Sequence, residues 1–153
     1  MNALGQELAV DVTNHNASAP VFHVEVGGAP RDLHPVVRDE VYRIAGEALR
    51  NAFRHADAQH IEMEIRYDER QLRLRLRDDG KGIDPKVLSD DRNEGHYGLR
   101  GMRERAKLLG GKLTVWSEQD SGTKVELVIP AAHVYTPSPG LRRSWLAERF
   151  FRK

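Results

Sequence analysis

The sequence predicts an α+β fold, a two-layer α/β sandwich in which a mixed, mainly antiparallel sheet carries helices on one face. Two segments repeat apolar residues every three or four positions, the spacing of a buried helix face. Five other segments have the composition or the alternation of strands. Their order is strand, helix, two strands, helix, two strands. This order is not the strict strand–helix alternation that builds a doubly wound parallel sheet.

The first half of the chain predicts a strand, a long helix and a hairpin. Residues 21–26 have strand composition, and a Gly-Gly-Ala-Pro turn follows them. Pro35 lies at the start of the helix. The apolar face of that helix contains Val37, Val41, Ile44, Ala48 and Ala52. Residues 61–65 and 72–76 alternate as strands, and the polar turn at 68–70 predicts that they pair as a hairpin.

The second half predicts a helix and two more strands after a polar segment, residues 84–97. The apolar face of the helix contains Leu99, Met102, Ala106 and Leu109. Two glycines at 110–111 end this helix, as glycine commonly does. Strands at 113–116 and 123–129 are joined by a polar turn that ends in Gly122.

Composition limits the class of protein. The chain has 153 residues, a net charge of +1 and no cysteine. Disulfides and thiolate metal sites are therefore excluded, and the near-zero charge speaks against a nucleic-acid partner. We expect one domain at 19–132, a linker helix at 1–18 and a basic tail at 133–153. The sequence lacks the pattern of a secretory leader and has no apolar stretch of membrane-spanning length. It is compatible with a piece of a larger protein.

Asp78 is the residue whose predicted position says most about function. It continues the parity of Leu72, Leu74 and Leu76, so its carboxylate should point to the buried side at the end of the strand. A buried carboxylate is costly unless a hydrogen-bond donor pairs with it. Gly80 and Gly82 follow, and their backbone can bend sharply beside a ligand. An ordinary turn remains the alternative.

The long helix places four polar residues in one stripe, along the border of its apolar face: Glu47, Asn51, Arg54 and His55. Residues three or four positions apart lie about 40–60° from each other around a helix, so these side chains are neighbours. Glu47 and Asn51 offer oxygen ligands of the kind that Mg²⁺ accepts. Arg54 and His55 are suited to phosphate oxygens. The alternative is a solvated helix face.

Two further features suit a nucleotide. Gly98, Leu99, Arg100 and Gly101 open the second helix, where free backbone amides and the helix dipole favour an anion. Thr123 shares the parity of Val125, Leu127 and Ile129, so its hydroxyl should point inward like Asp78. The alternative for residues 98–101 is an ordinary loop end with a surface arginine. The alternative for Thr123 is a core threonine whose hydroxyl already has a hydrogen-bond partner.

Taken in order, these motifs resemble the GHKL superfamily with its Bergerat ATP-binding fold. Residues 47–55 (Glu-Ala-Leu-Arg-Asn-Ala-Phe-Arg-His) resemble the N box, and residues 78–82 (Asp-Asp-Gly-Lys-Gly) resemble the G1 box. Residues 98–105 (Gly-Leu-Arg-Gly-Met-Arg-Glu-Arg) resemble the G2 region in the form typical of sensor histidine kinases of the nitrate-sensor and desaturase-sensor type. The resemblance covers about residues 21–130.

The resemblance implies that the chain binds ATP and Mg²⁺. Asp78 would accept the adenine amino group, Asn51 would bind the metal, and Glu47 would be catalytic by orienting a metal-bound water or polarising the site. Residues 84–97 would form the ATP lid. The other residues implied to bind the nucleotide are Arg54, His55, Gly80, Gly82, Ile83, Gly98, Leu99, Arg100, Gly101 and Thr123.

The implied function is that of the catalytic ATP-binding domain of a bacterial sensor histidine kinase. None of the seven histidines has the setting of a phosphoacceptor, so we expect the acceptor on a separate dimerisation domain and a response regulator after it. The domain alone should be monomeric, cytoplasmic and at most slow in turnover, with its parent protein in the inner membrane. The alternatives are a non-catalytic nucleotide-dependent switch and a serine kinase of the anti-sigma-factor type, against which the Gly-Met-Arg-Glu-Arg form argues.

The tail combines basic and aromatic residues, among them Arg142, Arg143, Trp145, Phe150 and Phe151. Such a tail either packs locally as an ordinary chain end or makes weak contact with an anionic membrane.

Overall fold

The computed structural model describes residues 20–55, 57–89 and 98–136. Five strands form one sheet in the order β1-β2-β3-β5-β4. The strands are β1 (Val21–Gly27), β2 (His60–Tyr67), β3 (Gln71–Asp78), β4 (Lys112–Glu118) and β5 (Gly122–Pro130). The helices are α1 (Pro35–His55), α2 (Pro85–Ser89), α3 (Leu99–Leu108) and α4 (Ala131–Val134).

The strand pairing is mixed, as predicted. β1 runs parallel to β2, because α1 carries the chain back across the sheet between them. β2 and β3 form the predicted antiparallel hairpin, and β5 pairs antiparallel with both β3 and β4. Only one of the four strand pairs is therefore parallel. The predicted two-layer α+β architecture is confirmed.

The helices cover one face of the sheet. Alternate residues of β2, β3 and β5 are buried against apolar residues of α1 and α3 in one core cluster. Phe22 of β1 meets Phe53 of α1 edge to face, with ring centroids 6.3 Å apart. The opposite face of the sheet carries charge, and Arg73–Glu64 at 2.8 Å and Arg75–Glu126 at 2.9 Å pair across neighbouring strands. Solvent therefore meets a charged sheet face, and the site lies on the helix side.

The packed core continues past residue 132, the last residue of the domain predicted from the sequence. Val134 of α4 is 0% exposed and Tyr135 is 4% exposed. The Tyr135 hydroxyl donates to the carbonyl oxygens of Asp68 and Gln71, at 2.8 and 3.0 Å, and so holds the turn between β2 and β3. The start of the predicted tail is therefore part of the folded unit in this structure.

The remaining parts of the predicted tail and linker lie outside the described residues, as do residues 90–97 of the predicted lid. Within the described ranges, none of the helices has the length and hydrophobicity that crossing a bilayer requires.

Candidate functional site: a cleft between the long helix and the sheet

A small cleft of about 20 Å³ lies where α1 faces the ends of β3 and β5. Its apolar wall is built from core residues of the helix and the sheet, and its polar groups come from three separate elements. The lining residues are Ala48, Asn51, Ala52, Leu76, Asp78, Gly82, Ile83, Leu99, Thr123 and Val125. An apolar slot with a few convergent polar groups is the usual form of a small-molecule site.

Asp78 is the acidic group of the cleft. Its Oδ1 accepts hydrogen bonds from the backbone N–H of Gly80 at 2.9 Å and of Thr123 at 3.3 Å. Burial raises the pKa of this carboxyl above its ordinary value of 3.8, although the two amides act in the opposite direction. Its Oδ2 has no hydrogen bond within the described part of the chain. The carboxylate is therefore held in place by one oxygen and can accept a hydrogen bond from a ligand with the other.

Asp79, the next residue, has a different role. Its Oδ1 accepts from the backbone N–H groups of Gln59 and His60 at 2.8 and 2.9 Å, and its Oδ2 lies 2.9 Å from His60 Nδ1. These bonds, led by the His60 amide, lower the pKa of Asp79 to about 2. Asp79 thus ties the glycine turn to the start of β2, which sequence reasoning had not assigned.

The glycine turn packs against the β4–β5 hairpin. Gly82 has a φ of 79°, and a Cβ there would overlap the Glu118 carbonyl, so both the backbone angle and the close approach require glycine. The backbone N–H of Ile83 donates to Ser117 Oγ at 2.6 Å. Ser117 Oγ also lies 2.9 Å from Thr123 Oγ1. Ser117 was missed from the sequence, although it shares the inward parity of Leu113 and Val115 on its strand.

The other end of the site is the start of α3. Gly98 caps this helix in the left-handed conformation, with a φ of 60°. A Cβ at Gly98 would lie 2.8 Å from Glu47 Oε1, so the helix start and the Glu47 carboxylate are in direct contact. Glu47 Oε2 accepts from Arg50 Nη2 at 2.9 Å, and the Arg105–Glu40 ion pair at 3.2 Å joins α3 to α1. The backbone amides that begin α3 therefore lie beside Glu47.

Several predicted residues are not among those that line the cleft. Arg54 is exposed and is not among the lining residues. His55 is the last residue of α1, and its side chain lies outside the described part of the structure. Arg100 is exposed and pairs with Glu104 at 3.2 Å. Gly101 is also exposed, and nothing lies within 4 Å of a Cβ placed there. Gly80 is buried and acts through its amide on Asp78.

The oxygen donors present suit a magnesium ion bound together with a phosphate ligand. Asn51 lines the cleft one helical turn after Glu47, whose Oε1 faces the start of α3. Mg²⁺ is usually held by one or two protein oxygens while substrate phosphates and water complete its shell. A full protein cage is not needed, and within the described residues no cluster of three or more histidine, cysteine or acidic side chains offers one.

Known proteins that are similar in sequence include sensor kinases. The sensor protein VraS of Staphylococcus saprophyticus is 33% identical over 125 residues, which are 82% of this chain and 34% of that protein. The sensor histidine kinase YdfH of Bacillus subtilis is 38% identical over 103 residues, 64% of this chain and 25% of that protein. The chain therefore spans about a third or less of these relatives.

A solved structure agrees with these relatives. The histidine kinase domain of the blue-light activated histidine kinase EL346 from Erythrobacter litoralis superposes with a TM-score of 0.63 at 26% identity, covering 95% of this chain and 65% of that one. The family model of the histidine kinase-, DNA gyrase B- and HSP90-like ATPases matches residues 36–133. The match confirms the resemblance stated from the motifs: this chain belongs to the family of histidine kinase-, DNA gyrase B- and HSP90-like ATPases.

Proposed function

We propose that this chain is the catalytic ATP-binding domain of a bacterial two-component sensor histidine kinase. The observation that carries the proposal is the convergence of Asn51, Asp78 and Thr123 on one cleft. Family membership and the sensor-kinase relatives support the same reading. The proposal extends beyond family membership to the residues, the metal and the partners.

We place the adenine base at the end of the cleft that contains Asp78. The free Oδ2 of its carboxylate accepts a hydrogen bond from the exocyclic amino group inside a sheltered slot. Leu76, Ile83 and Val125 provide apolar walls for the faces of the ring. Since the cleft measures only about 20 Å³, its walls must move apart when the base enters.

The phosphates fit the end of the site at Glu47 and Gly98. Amides at the start of α3 attract negative charge, and the glycine cap keeps this region free of a side chain. Asn51 and Glu47 would hold Mg²⁺, which when bound neutralises charge on the phosphate oxygens. We assign Glu47 the catalytic role: its carboxylate orients water at the phosphate end and polarises the site. We further propose that Arg54, His55, Arg100 and Gly101 meet the nucleotide only at the rim of the site.

The phosphoryl acceptor is a histidine on a dimerisation domain outside this chain. From that histidine the group passes to a response regulator. Phosphoryl transfer depends on in-line positioning of the nucleophile, so the domain alone should turn over slowly or not at all. We further propose that the domain by itself is a monomer on the cytoplasmic side of a membrane-anchored parent.

Phosphoryl transfer is the decisive test. The chain is mixed with the dimerisation domain of its parent kinase, Mg²⁺ and γ-labelled ATP, and label is followed onto the acceptor histidine. We expect transfer with this chain and a severe loss with Asp78→Asn. ATP binding without any transfer would overturn the kinase assignment and leave a nucleotide-dependent switch. Label on a serine would favour the anti-sigma-factor type.

A further inference from the structure

Ser117 does not line the nucleotide cleft, and it shares with Asp78 and Thr123 the lining of a neighbouring, more open cavity. It belongs to β4, whereas the cleft wall is formed by its strand partner Thr123 on β5. We propose that Ser117 is a positioning residue: it donates its hydroxyl proton to Thr123 and so commits the Thr123 hydroxyl to donate into the cleft. The proposal rests on the proposed ATP site and adds a residue that sets how the base is read.

The hydrogen bonds around Ser117 favour one acceptor for its hydroxyl proton. A serine hydroxyl offers one proton and two lone pairs. The backbone N–H of Ile83 fills one lone pair at 2.6 Å. The proton then has two acceptors, Thr123 Oγ1 at 2.9 Å and the Gly122 carbonyl oxygen at 3.3 Å. Hydroxyl hydrogen bonds are typically about 2.5–3.0 Å long, so Thr123 is the better acceptor.

Once Thr123 Oγ1 accepts from Ser117, its own proton is available to another partner. In the described part of the chain, Thr123 Oγ1 has no hydrogen bond apart from the one with Ser117. Its Oγ1 belongs to a residue on the cleft wall, and the free Oδ2 of Asp78 belongs to the strand partner next to it. The cleft lining therefore includes a hydroxyl and a carboxylate from directly paired strand positions.

This pair of groups complements one edge of adenine. The exocyclic amino group is a donor and the neighbouring ring nitrogen N1 is an acceptor. Asp78 accepts a hydrogen bond from the amino group, and Thr123 donates to N1, directly or through one water. If Ser117 donated instead to Gly122, Thr123 would donate to Ser117 and show only lone pairs to the base. Ser117 thus determines whether the Thr123 hydroxyl presents a donor or an acceptor to the base.

The test compares ATP with 1-deaza-ATP, in which a C–H replaces N1, by calorimetry on the 153-residue chain. For the wild-type chain we expect about fivefold weaker binding of the analogue, the value of one net neutral hydrogen bond. In Ser117→Ala the Thr123 hydroxyl still carries its proton but is no longer held in the donating orientation, so the cost of ordering it should lower this ratio to about twofold. Loss of the Ile83 contact should weaken both ligands equally, so the ratio isolates the hydroxyl effect from general loosening of the loop.

Ser121→Ala is the matched control. Ser121 is an exposed serine in the β4–β5 turn, and its side chain has no hydrogen bond among the described residues, so the fivefold ratio should persist. If Ser117→Ala fails to fold, Ser117→Cys keeps the side-chain size with a weak donor, and should lower the ratio in the same way. A ratio that stays at the wild-type value in a folded Ser117 variant would overturn the role of Ser117 while ATP binding stands. Failure of the wild-type chain to bind ATP would instead overturn the proposed function.

Discussion

The backbone N–H of Thr123 donates to Asp78 Oδ1 across the β3–β5 pair, at 3.3 Å. A second amide, that of Gly80, donates to the same oxygen from the turn that follows β3. The carboxylate is therefore oriented by the sheet and by the glycine turn together. A group fixed in this way loses little further freedom when a ligand binds.

Asp78→Asn should weaken adenine nucleotides by about 10- to 100-fold, the usual value of a hydrogen bond to a charged group. The asparagine side chain keeps one oxygen that accepts from the Gly80 and Thr123 amides. It has no negative charge, and an NH₂ donor replaces the oxygen that would accept from adenine. Inorganic triphosphate should bind almost as before. Calorimetry with both ligands checks the prediction, and equal losses would refute the assignment of Asp78 to the base.

Asp79→Asn is the control for that change, because Asp79 is the adjacent carboxylate and does not line the cleft. The low pKa of Asp79, about 2, results from the hydrogen bonds that its carboxylate accepts from His60 and Gln59. Asp79→Asn should therefore reduce the stability of the domain and leave the ratio of ATP affinity to triphosphate affinity unchanged.

Nucleotide affinity should depend on pH through Asp78. Burial raises the pKa of its carboxyl in the free protein, and a donated amino proton favours the ionised form and lowers the pKa in the complex. The complex therefore binds fewer protons, and affinity rises with pH through the free-protein pKa and then levels off. The acid-side loss should begin at higher pH than for an exposed aspartate. Calorimetry from pH 4 upward checks this, and a pH-independent affinity over that range would contradict it.

Asn51→Ala should remove the magnesium dependence of ATP binding and preserve the fold. Asn51 lines the cleft on α1, and alanine favours the helix. We expect ATP affinity to become the same with Mg²⁺ and with EDTA. Arg38→Ala, an exposed change near the start of the same helix, should retain the magnesium effect. Retention of that effect in Asn51→Ala would contradict the metal assignment.

Two glycines should respond to alanine in opposite ways. Gly122 has a φ of 100°, and a Cβ there would overlap the Asp78 carbonyl, so Gly122→Ala should destabilise the domain by about 2 kcal/mol or more. Gly101 lies inside α3 with open space around a Cβ, so Gly101→Ala should stabilise the helix by about 0.5–1 kcal/mol. Urea denaturation measures both changes. Destabilisation by Gly101→Ala would show that this helix start is packed differently.

Strand periodicity was enough to predict which polar residues of β3 and β5 face the cleft. Leu72, Leu74 and Leu76 alternate inward, and the same parity takes Asp78 to the cleft. Thr123 follows from the same argument on β5, and the observed register places it opposite Asp78. Alternation identifies such residues because a strand allows only two directions for its side chains.

Contacts between distant segments were beyond the reach of periodicity. Asp79 bonds to Gln59 and His60, and nothing in a turn sequence tells which neighbouring loop its carboxylate will meet. The parallel pairing of β1 with β2 depends on how α1 crosses the sheet. Tyr135 is buried and donates to the β2–β3 turn, although the predicted tail, residues 133–153, included it.

Mapping of amide chemical shifts in the 153-residue chain on titration with Mg-ATP tests the central claim most directly. We predict saturable shifts that concentrate on the amides of Gly80, Ile83, Leu99 and Thr123, with little change at Arg75 and Glu126 on the opposite sheet face. Shifts centred on that charged face, or no saturable shifts at all, would contradict the assignment of the cleft as the ATP site.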